Sequence, residues 1–116
     1  MIYLASAYSS DDPAVVEARY HAVCKAAAVL FARGHNVFSP IAHSHALVAH
    51  GAPTAWRNWS RLDLDLLRCS ASLWVLMLPG WRESVGVTAE IEQARGMQLP
   101  IKYVDPVTYA ISERAQ

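Results

Sequence analysis

The sequence predicts a single α/β domain built on a doubly wound parallel sheet, and three observations carry that expectation. Short apolar runs alternate with longer helix-compatible segments in the order β-α-β-α-β-α-β-α. The connections between them are short, as parallel sheets with crossover helices require. The most apolar run, Ser70 to Leu78, shows no polar alternation, which is the mark of a strand covered on both faces.

Ile2 to Ala7 reads as a buried first strand, bounded by Ser9, Ser10, Asp11 and Asp12. Asp11 or Asp12 can cap the next helix, and Pro13 suits its first position. From Ala14 to Arg33, Val15, Ala18, Ala22, Val23, Ala26, Val29 and Leu30 recur at three- and four-residue spacing, and Gly34 closes the helix. His35 to Phe38 reads as a second strand, ended by Ser39 and Pro40. Residues 41 to 55 read as a polar connection.

Thr54 can then cap a helix running to Arg68, with Trp56, Trp59, Leu62, Leu66 and Leu67 on a broad apolar face. After Ser70 to Leu78, a loop with Trp81, Ser84 and Gly86 leads into a helix that carries Glu90 in its first turns and ends at Gly96. Pro100 to Val104 reads as a strand, and Asp105 with Pro106 as the start of a last short helix. The expected result is a three-layer, flavodoxin- or Rossmann-like domain spanning residues 1–116, with a parallel sheet of about four to five strands.

At 116 residues the chain is one domain with room for a real core. Its 53% apolar and 17% charged composition argues against disorder and for a compact, oligomer-forming protein. Basic and acidic residues balance at ten each, which excludes the basic excess of a nucleic-acid surface. Cys24 and Cys69 lie in apolar segments without CxxC spacing and read as reduced core residues. The start of the chain lacks a basic n-region, and no run approaches the ~20 apolar residues of a membrane span, so a cytoplasmic protein is expected.

Ligands of open α/β sheets bind where strand ends meet helix N-termini. Three segments should therefore converge: Ala5 to Ser10, Ser39 to His45, and Pro79 to Glu90. Glu90 is then a carboxylate beside a pocket, or else a complement to its helix dipole. Asp63 offers a second carboxylate, or else pairs with Arg57 or Arg61. Asp65, two residues on, projects in a different direction, and the spacing leaves open which of the two faces the pocket. Ser84 and Gly86 make an anion seat, or Ser84 simply caps the helix. No dinucleotide fingerprint, P-loop, nucleophile elbow or Cys-His pair is present, and no cofactor is expected. His43 and His45 stand two apart with no acidic or cysteine ligand nearby, so they read as loop or pocket residues, not metal ligands. Two carboxylates without a metal suit acid/base work or covalent glycosyl transfer, where a carboxylate traps an oxocarbenium-like carbon.

The stretches YLASAYS at the start, FSPIAHSHAL at 38–47, W-x-x-x-D at 59–63 and PGWRESVGVTAE at 79–90 resemble parts of the nucleoside 2-deoxyribosyltransferase-like superfamily. The likeness runs in order through nearly the whole chain, and its most specific piece is S-x-G-V-x-x-E, Ser84 to Glu90. The resemblance implies that Glu90 attacks the anomeric carbon of a 2-deoxynucleoside, that Asp63 assists protonation of the leaving base, and that Tyr3 or Tyr8 stands near the nucleophile. The transferases carry a sugar-binding aspartate six residues before the glutamate, where this chain has Ser84. That departure is similar to the branch that hydrolyses deoxynucleoside 5′-monophosphates, although the glycine-rich first loop of those hydrolases is replaced by Ala5, Ser6 and Ser9. A hydroxyl attracts a phosphate that a carboxylate would repel. Pro40 belongs to the second converging loop, and Trp81 with His43 or His45 could stack on or bond a base; Trp81 could equally pack over its own loop. Family enzymes complete their sites across subunits, so a homodimer or homotetramer is implied. A nucleotide-binding module that kept the fold and lost catalysis is the alternative.

Overall fold

The computed structural model describes residues 1–116 as a three-layer α/β domain. Five strands, β1 (Ile2–Ala5), β2 (Val37–Phe38), β3 (Ser72–Leu76), β4 (Ile101–Val104) and β5 (Ile111–Ser112), form one sheet in the order β2-β1-β3-β4-β5. The first four are parallel, and β5 runs antiparallel to β4. Four α-helices, α1 (Pro13–Ala32), α2 (Pro40–Ala49), α3 (Trp56–Arg68) and α4 (Val85–Gly96), cover the two faces.

Alternation along the central strands divides the core in two. Leu4, Trp74, Leu76 and Val104 point to the α1 face, where Val23, Ala26 and Leu30 fill the other side. Tyr3, Ala5, Leu73, Val75 and Tyr103 point the opposite way, onto Leu67 of α3 and Val87 and Ala94 of α4. Tyr3 is thus a phenol set in the innermost layer of an apolar face.

Helix α1 starts as its sequence suggests: Asp12 accepts from the Ala14 N–H at 2.9 Å, and Pro13 takes the first position. Gly34 follows its end with φ of +95°, a conformation that glycine adopts without steric cost. Four expectations are corrected. Residues 40–49 are helix α2, not loop, because Ser39 Oγ caps the Ala42 N–H at 3.1 Å and Pro40 sits at the first helical turn. Ala55, not Thr54, precedes α3, and no side chain caps it. Leu62 is exposed instead of sharing the buried face of α3. No helix follows Asp105: its carboxylate accepts from the N–H groups of Val107 and Thr108, closing a turn that returns the chain as β5.

Strands β1 and β3 are shorter than the apolar runs that contain them. Ser6 and Ala7 stay buried after β1 leaves the ladder, and Ser70 belongs to the end of α3, where its Oγ donates to the Leu66 carbonyl at 2.8 Å. Cys69 is exposed at the C-terminus of α3 and Cys24 half-buried, so neither is the core residue expected; both are free thiols. No helix is long and apolar enough to cross a membrane.

Leu30 is fully buried against β1 and β3 on the α1 face. Replacing it with alanine is expected to cost about 2–5 kcal/mol of stability, read from the midpoint shift in a urea titration at unchanged slope.

Candidate active site

The strand order places β1 between β2 and β3, so chain connections leave in opposite directions from its carboxyl end, the usual location of a ligand crevice in such sheets. A cavity of about 510 Å³ opens there, within the range of small-molecule sites. All three expected segments reach it: Ala5, Ser6, Tyr8 and Ser9 after β1, Pro40, Ile41 and Ser44 after β2, and Gly80, Glu83 to Gly86 and Glu90 after β3.

At its floor, the Tyr3 hydroxyl donates a hydrogen bond to Glu90 Oε2 across the interface between β1 and α4. Both residues are buried, Glu90 with 6% of its surface exposed. Desolvation pushes the Glu90 carboxyl up to about 8, repulsion from Asp63 adds to the rise, and the Tyr3 hydrogen bond opposes it. Burial, with the charges of Glu90 and Asp63, raises the Tyr3 phenol far above its ordinary value, so it remains a donor.

Asp63 enters the same cavity from α3 and is pushed up to about 6 by desolvation. Neither Arg57 nor Arg61 pairs with it; the ion pair of this helix joins Asp65 to Arg68 at 2.8 Å, out in solvent. Asp63 Oδ1 is buried without a hydrogen-bond partner in the protein, as is Ser6 Oγ on the β1 loop. Buried polar atoms are nearly always bonded. Both residues line the cavity, and each leaves a polar atom there that the protein does not satisfy.

The remaining wall is aromatic and cationic. Trp56 and Trp59, one helical turn apart on α3, line it, and Trp59 is fixed by donation from Nε1 to the Pro53 carbonyl at 2.6 Å. The start of α4 faces that indole: a Cβ on Gly86 would lie in ordinary contact, 3.4 Å from the Trp56 ring. Ser84 caps α4 by accepting from the Val87 N–H at 3.2 Å, the ordinary role considered for it. Arg19 spans two loops, donating to the carbonyls of Ser9 at 2.8 Å and Pro79 at 3.4 Å, with no carboxylate in ion-pair contact.

Of the expected site residues, Glu90, Asp63, Tyr3, Tyr8, Ala5, Ser6, Ser9, Pro40, Ser84 and Gly86 line the cavity. His43, His45 and Trp81 do not. His43 is exposed on α2, tilted against Phe38. His45 faces α1, and Trp81 packs on Tyr103 beneath the Arg82 guanidinium. Sequence reasoning missed Arg19 and Ser44, and took Trp56 and Trp59 for core alone. A tryptophan pair one and two turns before a helix aspartate is the signal that would have found the second set.

Residues 1–105 match the family described as a domain of unknown function (DUF1937), and the chain belongs to that family. No curated protein matches the chain.

The raised Glu90 carboxyl makes stability depend on pH with a definite sign. The unfolded chain releases this proton near 4.5 and the folded chain near 8, so between those values the folded state holds more protons and loses stability as pH rises. Below pH 4 the penalty is absent; above pH 8 it is complete and on the order of several kcal/mol. Glu90→Gln keeps an acceptor for Tyr3 and should therefore be more stable than wild type at pH 9 and equal to it at pH 4, as denaturant titrations at the two pH values would reveal.

Proposed function

We propose that this DUF1937 member is an N-glycosidic-bond enzyme, a hydrolase or 2-deoxyribosyltransferase acting on a nucleoside or nucleoside 5′-monophosphate. The observation that carries the reading is the pairing of two buried carboxylates in one cavity, Glu90 braced by Tyr3 and Asp63 with an oxygen free of any protein partner. This is the equipment of covalent glycosyl chemistry.

In the reaction we envisage, Glu90 as carboxylate attacks the anomeric carbon while the bond to the base nitrogen breaks. Asp63, as the acid, gives its proton to the departing base. Water or a second base then attacks the glycosyl ester, its proton passes to Asp63, and Glu90 leaves as carboxylate. Between about pH 6 and pH 8 the pair holds one proton, the number that one nucleophile and one acid require. Burial favours keeping it on Glu90. A cationic sugar centre beside Glu90 draws it towards Asp63, and the Tyr3 hydroxyl steadies the carboxylate left behind.

Arg19 supports a phosphorylated substrate, because an uncompensated guanidinium at the cavity wall suits a phosphate dianion. Trp56 and Trp59 supply flat apolar surface for a base. The same reading makes the protein a cytoplasmic homodimer or homotetramer. It draws support from the two free thiols and from Val85, an apolar side chain 71% exposed at the cavity rim.

Release of free base from ribo- and deoxyribonucleosides and their 5′-monophosphates tests this directly. Glu90→Ala should abolish release, and Asp63→Asn should slow it by about 10²–10⁴-fold. Arg19→Ala should raise KM for monophosphates while sparing unphosphorylated nucleosides. No release from any substrate, with an acceptor base also supplied, would leave a binding module of the same fold.

The pH profile of kcat/KM should be a bell with limbs near 6 and 8. Asp63 raises Glu90, and Tyr3 lowers it. Tyr3→Phe should therefore move the upper of the two apparent values higher; an unchanged profile would separate Tyr3 from the titrating pair.

A further inference from the structure

Beside the carboxylates, a second polar chain ends at the cavity wall. Tyr8, in the loop after β1, lines the cavity, and its Oη lies 2.8 Å from Nδ1 of His45 on α2. The other ring nitrogen, Nε2, lies 3.2 Å from Oε2 of Glu17 on α1. Tyr20 stacks on the same imidazole, with ring centroids 3.8 Å apart and planes at 15°. The ring is therefore held at both nitrogens and on one face, by groups from the β1 loop and α1.

With His45 neutral, these contacts fix where the hydrogens go. A carboxylate only accepts, so His45 Nε2 must carry the hydrogen that faces Glu17. A neutral imidazole has one N–H, which leaves Nδ1 as an acceptor. Tyr8 must then spend its single O–H on Nδ1. What its oxygen has left for the cavity is lone pairs.

We propose that the Glu17–His45–Tyr8 chain makes Tyr8 a hydrogen-bond acceptor towards the cavity, so that this wall selects a ligand carrying an O–H or N–H donor and disfavours a carbonyl or phosphate oxygen there. Tyr8 is the specificity-determining group; His45 and Glu17 are positioning residues that act through it. Burial, reinforced by the Glu17 charge, raises the Tyr8 phenol above its ordinary value, so its proton stays available to His45. Arg19, a separate residue of the cavity lining, offers only donors. Two lining groups of opposite hydrogen-bond polarity orient a ligand that has an anionic end and a donor-bearing end. A nucleoside 5′-monophosphate has both, the donor being a sugar hydroxyl or an exocyclic amine.

The assignment of hydrogens is tested without any ligand. Imidazole ¹⁵N spectra at pH 8, with the His45 signals identified by their loss in His45→Phe, should show a protonated Nε2 and a bare Nδ1. The opposite tautomer would overturn the proposal. Selection is tested by calorimetry on Glu90→Gln protein, which holds substrate without turning it over. The probes are 2′-deoxyadenosine 5′-monophosphate, its 3′-fluoro analogue lacking the sugar O–H, and its purine analogue lacking the amine. One analogue should bind about tenfold more weakly than the parent, the loss of one hydrogen bond to a buried acceptor. That preference should vanish when either Tyr8→Phe or His45→Phe is added, although His45→Phe keeps a ring against Tyr20. Equal binding of all three probes, or a preference that survives both substitutions, overturns the selection. This test rests on the nucleotide reading only for its probes: if none binds, that reading fails, and the tautomer decides the hydrogen-bond chain on its own.

Discussion

The structure depends on keeping a carboxylate under a sheet. Glu90 leaves water almost completely, a placement that costs several kcal/mol for an isolated charge, and the one strong compensation it receives is the hydroxyl of Tyr3. Tyr3 can give that hydroxyl because it occupies the inward face of the central strand β1, locked between β2 and β3 with its ring among Leu67, Leu73, Val75 and Val87. The apolar face that stabilises the fold is thus also the mount for the polar pair. Fold and site meet in Tyr3.

From this follows the division of labour among the layers. The α3/α4 layer contributes the carboxylates and the indoles, while the α1/α2 layer contributes Arg19, Pro40 and the group of aromatic and ionisable residues around His45. The sheet edge between them supplies the small residues Ala5, Ser6 and Ser9, which leave the space that the cavity occupies. A larger side chain at Ala5, buried at the end of β1, would intrude on the Tyr3–Glu90 contact from the same strand.

Legibility in the sequence followed the range of the interaction. The layer order, the cap of α1 and the central strand β3 are written in local spacing, and they were readable from it. Dipeptides with two uses were not. Asp12–Pro13 opens a helix because an apolar stripe follows; Asp105–Pro106 looks the same but is followed by Val107 to Ala110, which have no such stripe, and it becomes a turn. Ser39–Pro40 ends a strand and caps a helix at once, and only the first meaning was taken. At the site, helical geometry separated Asp63 from Asp65, yet which one faced inward depended on how α3 packs against α4. His45 could not be placed at all from its neighbours, since its partners Glu17 and Tyr8 lie 28 and 37 residues away.

The turn after β3 holds one more consequence. Gly80 has φ of +90°, and a Cβ there would lie 2.7 Å from Nη2 of Arg19. The guanidinium occupies the volume that any other residue's side chain would claim. The electrical character of the cavity is consequently written in a place with no side chain of its own: a mutation at this loop glycine would act as a charge mutation, displacing a cation that belongs to a helix 61 residues earlier in the chain. A substitution at position 80 would therefore strain the turn and move the Arg19 guanidinium at once.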